Sequence, residues 1–297
     1  MSPPGPIGMI GTGVMGAPIV GRLTAAGHAV HAFDTDAQAL QRAVERGAVP
    51  APDPAAVAAA CGPVFVCVSN HRITEQLLTG ADGVFANAQP GTVVVDLGTA
   101  EARLCRVLAE QAAQHGLHFL DAPLSGSVPG AEQGTLTIMV GGDAAAFARL
   151  RPVLETFGRG IFHLGGPGAG QVVKLCHQLT FMATLTGLSE AIALARRMGV
   201  QGTDLLDVLE TCVAPNRVME FMRPMLAGGE GFRIPGGGTA LLRKDLAAVK
   251  ELGADAGMAV PVANRLEALF ADAMAAGGGD ADLFGLWQLF DQQVLGS

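Results

Sequence analysis

Short apolar runs recur through the first half of the chain: Ile7 to Ile10, Ala29 to Phe33, Pro63 to Val68, Thr92 to Asp96, Leu117 to Asp121, Leu136 to Val140 and Gly160 to Leu164. Helical patterns fall between them, over Ala17 to Ala26, Ala100 to Gln114 and Asp143 to Thr156. Apolar strands alternating with amphipathic helices predict a mostly parallel sheet covered on both faces. After Leu164 the pattern changes. Gly165-Gly166-Pro167-Gly168 breaks the chain, and helical spacing then runs through Ala169 to Met198, Thr203 to Ala214, Arg217 to Leu226, Arg243 to Ala256, Pro261 to Ala275 and Leu283 to Leu295. The expected fold is an α/β N-terminal domain over residues 1–165 and an all-α C-terminal domain over residues 166–297, joined by a long interdomain helix.

The first strand runs into Gly11-Thr12-Gly13-Val14-Met15-Gly16. G-x-G-x-x-G between a strand and a helix predicts a dinucleotide site, because backbone amides at a helix start hold a pyrophosphate. Gly11 permits the tight turn, Gly13 lets the backbone approach phosphates, and Gly16 lets helix and strand pack closely. The second strand ends at Asp34, about 20 residues further on, where ribose hydroxyls are expected. A carboxylate there favours NAD over NADP, with NADP the alternative coenzyme; the other reading of Asp34 is a strand-end helix cap. Ligands of such sheets bind at the carboxyl ends of strands. That adds Ser69, Asn70 and Thr99 to the candidates.

Composition narrows the field. The chain has 297 residues, enough for two cores, and 49% of them are hydrophobic. The most apolar stretch, Leu175 to Ala195, contains His177, Gln178 and Glu190, so it reads as a buried helix and not a membrane span. The opening Met-Ser-Pro-Pro-Gly-Pro lacks the basic region of an export signal, so none is expected. Net charge is −8, without a basic run, which argues against nucleic acid as a partner. Five cysteines, never spaced C-x-x-C, suit a reducing cytoplasm and offer no metal framework. The chain has no tyrosine, so any proton donor must be another residue.

Two segments carry candidate chemistry. Asp121-Ala-Pro-Leu-Ser125-Gly126-Ser127 follows a strand, and its hydroxyls and amides can bind a carboxylate; alone, it reads as an ordinary turn with a serine cap. Lys174 lies early on the interdomain helix among apolar neighbours, with Gln178 one turn later on the same face. A partly desolvated lysine beside a nicotinamide can give or take the proton of an alcohol oxygen. Lys244-Asp245, taken alone, reads as an ion pair at a helix start.

Four ordered motifs together resemble the β-hydroxyacid dehydrogenase family, which includes 3-hydroxyisobutyrate dehydrogenase and tartronate semialdehyde reductase. They are Gly11 to Pro18, Asp121 to Gly142, Gly168-Ala-Gly170-Gln-Val-Val-Lys174 and Lys244-Asp245-Leu246. The resemblance implies a Rossmann-type domain plus a helical domain, and a homodimer or homotetramer formed through the helical part. It also implies reversible hydride transfer between the nicotinamide and a small β-hydroxy acid or its semialdehyde, this small carboxylate being the partner. Lys174 matches the family's general acid/base. Ser125 and Gly126, joined here by Ser127, match its substrate-carboxylate loop. Thr99 matches a contact to the nicotinamide ribose, Lys244 a lysine closing over coenzyme and substrate, and Phe232 a pocket-lining position. The sequence departs from the family pattern at His177-Gln178, at Ser127 where glycine is usual, and at Gly98 where serine is usual. These departures bear on which substrate is taken. An imine reductase of the same architecture, or a non-catalytic dinucleotide-binding scaffold, are the alternatives.

Overall fold

The computed structural model describes residues 5–228, 239–275, 284 and 286–291. The chain packs as two compact units, Met1–Lys174 and Leu175–Ser297. Phe232, the glycines at 236–238 and 277–279, and parts of the expected last helix lie outside the described residues.

Unit 1 is built on a nine-stranded sheet. Its strands are β1 (Ile7–Ile10), β2 (Val30–Phe33), β3 (Val49–Pro50), β4 (Pro63–Val66), β5 (Val93–Asp96), β6 (His118–Asp121), β7 (Leu124–Ser125), β8 (Leu136–Gly142) and β9 (Gly158–His163). The order is β3-β2-β1-β4-β5-β6-β8-β7, with β9 also pairing with β8. Strands β3 through β6 along this order are parallel, β8 runs antiparallel to β6 and β7, and β9 runs parallel to β8. The expected mostly parallel sheet is therefore present.

Alternate residues of the parallel strands feed two cores, which explains why the strands read as continuous apolar runs. Ile7, Met9, Phe65, Val93 and Val95 pack into one core. Ile10, Val64, Val66 and Val94 pack into the other. The helices of this unit are α1 (Gly16–Ala25), α2 (Ala37–Val44), α3 (Pro54–Ala60), α4 (His71–Thr79), α5 (Val84–Asn87), α6 (Ala102–Gln114), α7 (Ser127–Gln133) and α8 (Ala144–Leu154). Four of them start on a side-chain cap: Asp36 accepts from the Gln38 amide, Asp53 from Ala56, Asn70 from Arg72 and Asp143 from Ala146. The helix α9 (Ala169–Arg197) starts in unit 1 and continues into unit 2.

Unit 2 contains helices and no strand among its described residues. After α9 come α10 (Gly202–Thr211), α11 (Val218–Leu226), α12 (Thr239–Asp255), α13 (Pro261–Ala275) and α14 (Leu286–Asp291). Leu175, Met182, Leu185 and Ile192 of α9 share one core with Leu206, Met219, Met222, Leu246, Leu266 and Phe270. Among the described residues no helix is long and apolar enough to cross a membrane.

Candidate active site

The register of the parallel strands lines up one row of residues: Phe33, Ile10, Val66, Asp96 and Asp121 are paired in sequence across β2, β1, β4, β5 and β6. The ladder runs one step further. The amides of Gly11, Cys67, Leu97 and Ala122 donate to the carbonyls of Phe33, Ile10, Val66 and Asp96 at 2.7–2.9 Å. Each chain therefore leaves the sheet at the same edge, and the loops bearing Gly11 to Gly16, Asp34, Ser69-Asn70 and Thr99 are brought together there.

The glycine loop has the geometry its spacing predicts. Gly11 has φ +92°, and a Cβ there would lie 2.4 Å from the Cys67 carbonyl oxygen. A Cβ on Gly16 would lie 2.1 Å from the Gly11 carbonyl oxygen, so only glycine lets α1 start this close to β1. A Cβ on Gly13 would meet nothing within 4 Å, leaving the backbone there open to a ligand. Met15, the residue before α1, gives no side-chain cap, and Val14 is exposed. Uncapped amides beside open backbone fit a pyrophosphate, so the residues present suit a dinucleotide.

Asp34 holds this loop in shape. Its Oδ2 accepts from the amide of buried Thr12 at 2.6 Å and from the Thr12 hydroxyl at 3.3 Å, and its Oδ1 accepts from the Asp36 amide at 2.9 Å. The cap of α2 is Asp36, not Asp34. Each Asp34 oxygen keeps further acceptor capacity for ribose hydroxyls. Ser69 and Asn70 are exposed at the end of β4, and the Asn70 side chain caps α4. Beneath the loop, burial pushes the Cys67 thiol up to about 12, with the Asp96 and Asp34 charges adding to the effect.

The start of α9 is bolted to the same edge of the sheet. Asp121, fully buried, accepts from the Gly168 amide at 2.7 Å and from the Gln171 amide at 2.9 Å. Burial raises its carboxyl above the usual range, and those amides offset part of that rise. The two motif glycines have steric reasons. Gly168 has φ +87°, with the Ala102 carbonyl oxygen 2.6 Å from where a Cβ would be, and a Cβ on Gly170 would lie 2.2 Å from the Met139 carbonyl oxygen. The Gln171 side chain, also fully buried, donates to the Gly98 carbonyl at 2.8 Å and accepts from the Ala100 amide at 3.0 Å. Thr99 sits between those two backbone groups, half-buried. Gly98 donates to Asp96 at 2.9 Å, and a Cβ on Gly98 would press the Val68 carbonyl at 2.9 Å, which gives glycine a local reason where serine is usual. Lys174 follows one helical turn after Gln171 and is buried, with 7% of its surface exposed.

The hydroxyl-rich segment spans the end of β6, all of β7 and the start of α7. Leu124 and Ser125 pair with Ile138 and Thr137 of β8, and α7 begins at Ser127, where sequence suggested a loop throughout. Gly126 has φ +129°, and Ser127 has φ +55°, the left-handed region that L-residues avoid. Helix α7 is tied down at its far side: Arg46 forks onto Glu132 at 2.7 and 3.1 Å.

The unit 2 candidates form their own network. Gln178 donates to Asp245 Oδ2 at 2.5 Å, and its Oε1 lies 3.2 Å from Nδ1 of exposed His177. The Lys244 ammonium stands 3.4 Å from the other oxygen of buried Asp245. Gln178 thus ties α9 to α12. Phe232 lies outside the described residues. Sequence reasoning quoted Asp121 and Gln171 only as parts of motifs and gave them no role. The available signal was a lone glutamine in the first turn of a helix whose next two residues are valine.

Residues 6–165 match the NAD binding domain of 6-phosphogluconate dehydrogenase, and residues 168–290 match the NAD-binding domain of NADP-dependent 3-hydroxyisobutyrate dehydrogenase. The chain is 32% identical over 292 residues to 2-(hydroxymethyl)glutarate dehydrogenase of Eubacterium barkeri, covering 97% of this chain and 95% of that one. The chain belongs to the β-hydroxyacid dehydrogenase family. A further relative, 3-hydroxyisobutyrate dehydrogenase of Pseudomonas aeruginosa, is 38% identical over 218 residues, covering 73% of each chain. Among solved structures, Mycobacterium tuberculosis 3-hydroxyisobutyrate dehydrogenase with L-serine superposes with a TM-score of 0.87 at 29% identity, over 97% of this chain and 99% of that one. Family membership makes this chain an NAD(P)-dependent oxidoreductase whose residues 6–165 form a nucleotide-binding domain.

Proposed function

We propose that this chain catalyses reversible oxidation of a small β-hydroxy acid to its semialdehyde, with NAD as the preferred coenzyme. When bound, the coenzyme supplies the hydride acceptor or donor. The observation that carries the reading is buried Lys174, placed by α9 one turn after Gln171, which is bonded to the backbone on both sides of Thr99.

In this reading Lys174 takes the hydroxyl proton during oxidation and returns it during reduction. Burial among apolar neighbours keeps bulk water from competing for that proton. Ser125, Gly126 and Ser127 receive the substrate carboxylate through hydroxyls and backbone amides. The amides of Gly11, Thr12, Gly13, Val14, Met15 and Gly16 hold the pyrophosphate, and Ser69, Asn70, Thr99 and Lys244 complete the coenzyme contacts. Gln178 and His177 remain assigned to the substrate side, with Gln178 also holding Asp245. Asp34 supports NAD because its carboxylate accepts from a free 2′-hydroxyl and repels a 2′-phosphate. The chain is read as a cytoplasmic homodimer or homotetramer joined through its helical part; all five cysteines are free, in keeping with a reducing compartment.

A spectrophotometric panel of hydroxy acids and semialdehydes, run with NAD(H) and NADP(H) in parallel, tests the proposal. The expected result is turnover of a small β-hydroxy acid with kcat/KM at least roughly tenfold higher for NAD, a difference of about 1.4 kcal/mol. Turnover of a cyclic imine with NADPH, without any hydroxy acid oxidation, would replace it with an imine reductase. Tight NADH binding without consumption on any member of the panel would leave a scaffold.

A further inference from the structure

We propose that Gln171 is a positioning residue that sets the coenzyme-side Thr99 and the proton-transferring Lys174 in one fixed relation. The inference rests on the function proposed above, which gives those two residues their roles.

Three observations support it. First, Gln171 is fully buried, and both ends of its side-chain amide are used: Nε2 donates to the Gly98 carbonyl at 2.8 Å, and Oε1 accepts from the Ala100 amide at 3.0 Å. These are the backbone groups on either side of Thr99, so the loop after β5 cannot rotate about Thr99 without breaking one of them. An amide is the side chain suited to this task, because it offers a donor and an acceptor about two ångströms apart in one plane. Second, the backbone of Gln171 is itself held. Its amide donates to buried Asp121 at 2.9 Å, and the Gly168 amide donates to the other oxygen at 2.7 Å. The first turn of α9 is thereby fixed to the end of β6, and the lack of room for a Cβ at Gly170 keeps it from sliding. Third, Lys174 is three residues along the same helix, a rise of about 4.5 Å, and on nearly the same face. No flexible joint separates the glutamine from the lysine.

The chain of contacts therefore runs from Asp121, through the Gln171 backbone and side chain, to the loop on one side and Lys174 on the other. Gln171 acts through both and need touch neither substrate nor coenzyme. Misplacement of a catalytic group by about 1 Å can lower a rate roughly a hundredfold, so a loosened clamp is expected to appear in turnover before it appears in substrate affinity.

The test compares Gln171→Met, which keeps the side chain's size and removes both bonds, with Val57→Ala, a core substitution in α3 on the opposite flank of β1 from α1. If Q171M does not fold, Q171E, which keeps an oxygen facing the Ala100 amide, takes its place with the same readouts. Both proteins are compared with wild type at equal margin below their unfolding temperatures. For Q171M the expected result is kcat at saturating coenzyme lower by roughly tenfold or more, substrate KM within about twofold, and the NADH dissociation constant raised by about three- to tenfold. V57A is expected to keep kcat and NADH affinity within about twofold despite a lower unfolding temperature. Wild-type kcat and NADH affinity in Q171M, or a parallel fall in V57A, would overturn the proposal. If wild type turns over no hydroxy acid, the function fails, and NADH affinity still decides the clamp. A weakening confined to the Gln171 variant supports it, and unchanged affinity refutes it.

Discussion

The loop after β1 and the loop after β7 both turn on glycine, but they obey different constraints. In the first, a Cβ on Gly11 or Gly16 would collide with backbone oxygen at 2.4 or 2.1 Å, so no other residue fits whatever the loop binds. In the second, the nearest atom to a Cβ on Gly126 would be a movable leucine side-chain carbon at 3.1 Å, glycine being favoured by its φ of +129°, and the next position holds a serine at φ +55°. That conformation costs an L-residue about 1–2 kcal/mol, which a glycine would avoid. Packing dictates the first loop, whereas the second, proposed to take the substrate carboxylate, keeps a side chain that its own backbone disfavours. A strained residue kept at a candidate binding site directs attention to what its hydroxyl does.

Substitutions in the two loops should therefore differ in kind. The largest effect is expected from Gly16→Ala. The new methyl group has backbone against it and no flexible neighbour to move, so α1 must shift from β1, and NADH affinity measured by fluorescence titration should fall by about a hundredfold or more, if the protein folds at all. Retained affinity would mean the loop after β1 is as tolerant as the loop after β7. A smaller effect separates Ser127→Gly from Ser127→Ala. Both lose the hydroxyl and should raise substrate KM by about three- to tenfold. Only the glycine variant relieves the backbone, so its unfolding free energy should exceed that of the alanine variant by about 1 kcal/mol. Equal stabilities would show that no strain is stored at Ser127. The smallest effect concerns the thiols. With Cys67 held up to about 12 and Cys61 up to about 11 by burial, and buried Cys105 also raised, a thiol reagent at about pH 8 should modify exposed Cys176 and Cys212 and spare the other three. Rapid modification of Cys67 would show that the packing beneath Gly11 opens in solution.

The same contrast explains what the sequence made legible. Continuous apolar runs identified β1, β4, β5 and β8 because those strands are buried on both faces, and the glycine spacing foretold the tight turn at Gly11 and the close packing at Gly16. The two-residue strands Val49–Pro50 and Leu124–Ser125 carry too few positions to show a period. Helix α7 carries no helical signal in the sequence because its seven residues include Pro129 and Gly130, and its place is fixed by contacts distant in sequence, such as Arg46 with Glu132. The roles of Asp121 and Gln171 were hidden for a related reason. Each is a polar residue whose partners lie 47 to 73 positions away, and no local pattern announces a pairing that only the sheet register creates.

The account stands most directly on Lys174, and one pair of measurements on Lys174→Ala tests it: steady-state turnover of the best hydroxy acid, and NADH binding by titration. The expected outcome is a fall in kcat of about 10² to 10⁴, the range that general acid–base help supplies, with NADH affinity within about threefold of wild type. Turnover within a few-fold of wild type would contradict the assignment, since the proton would then be moving through some other group.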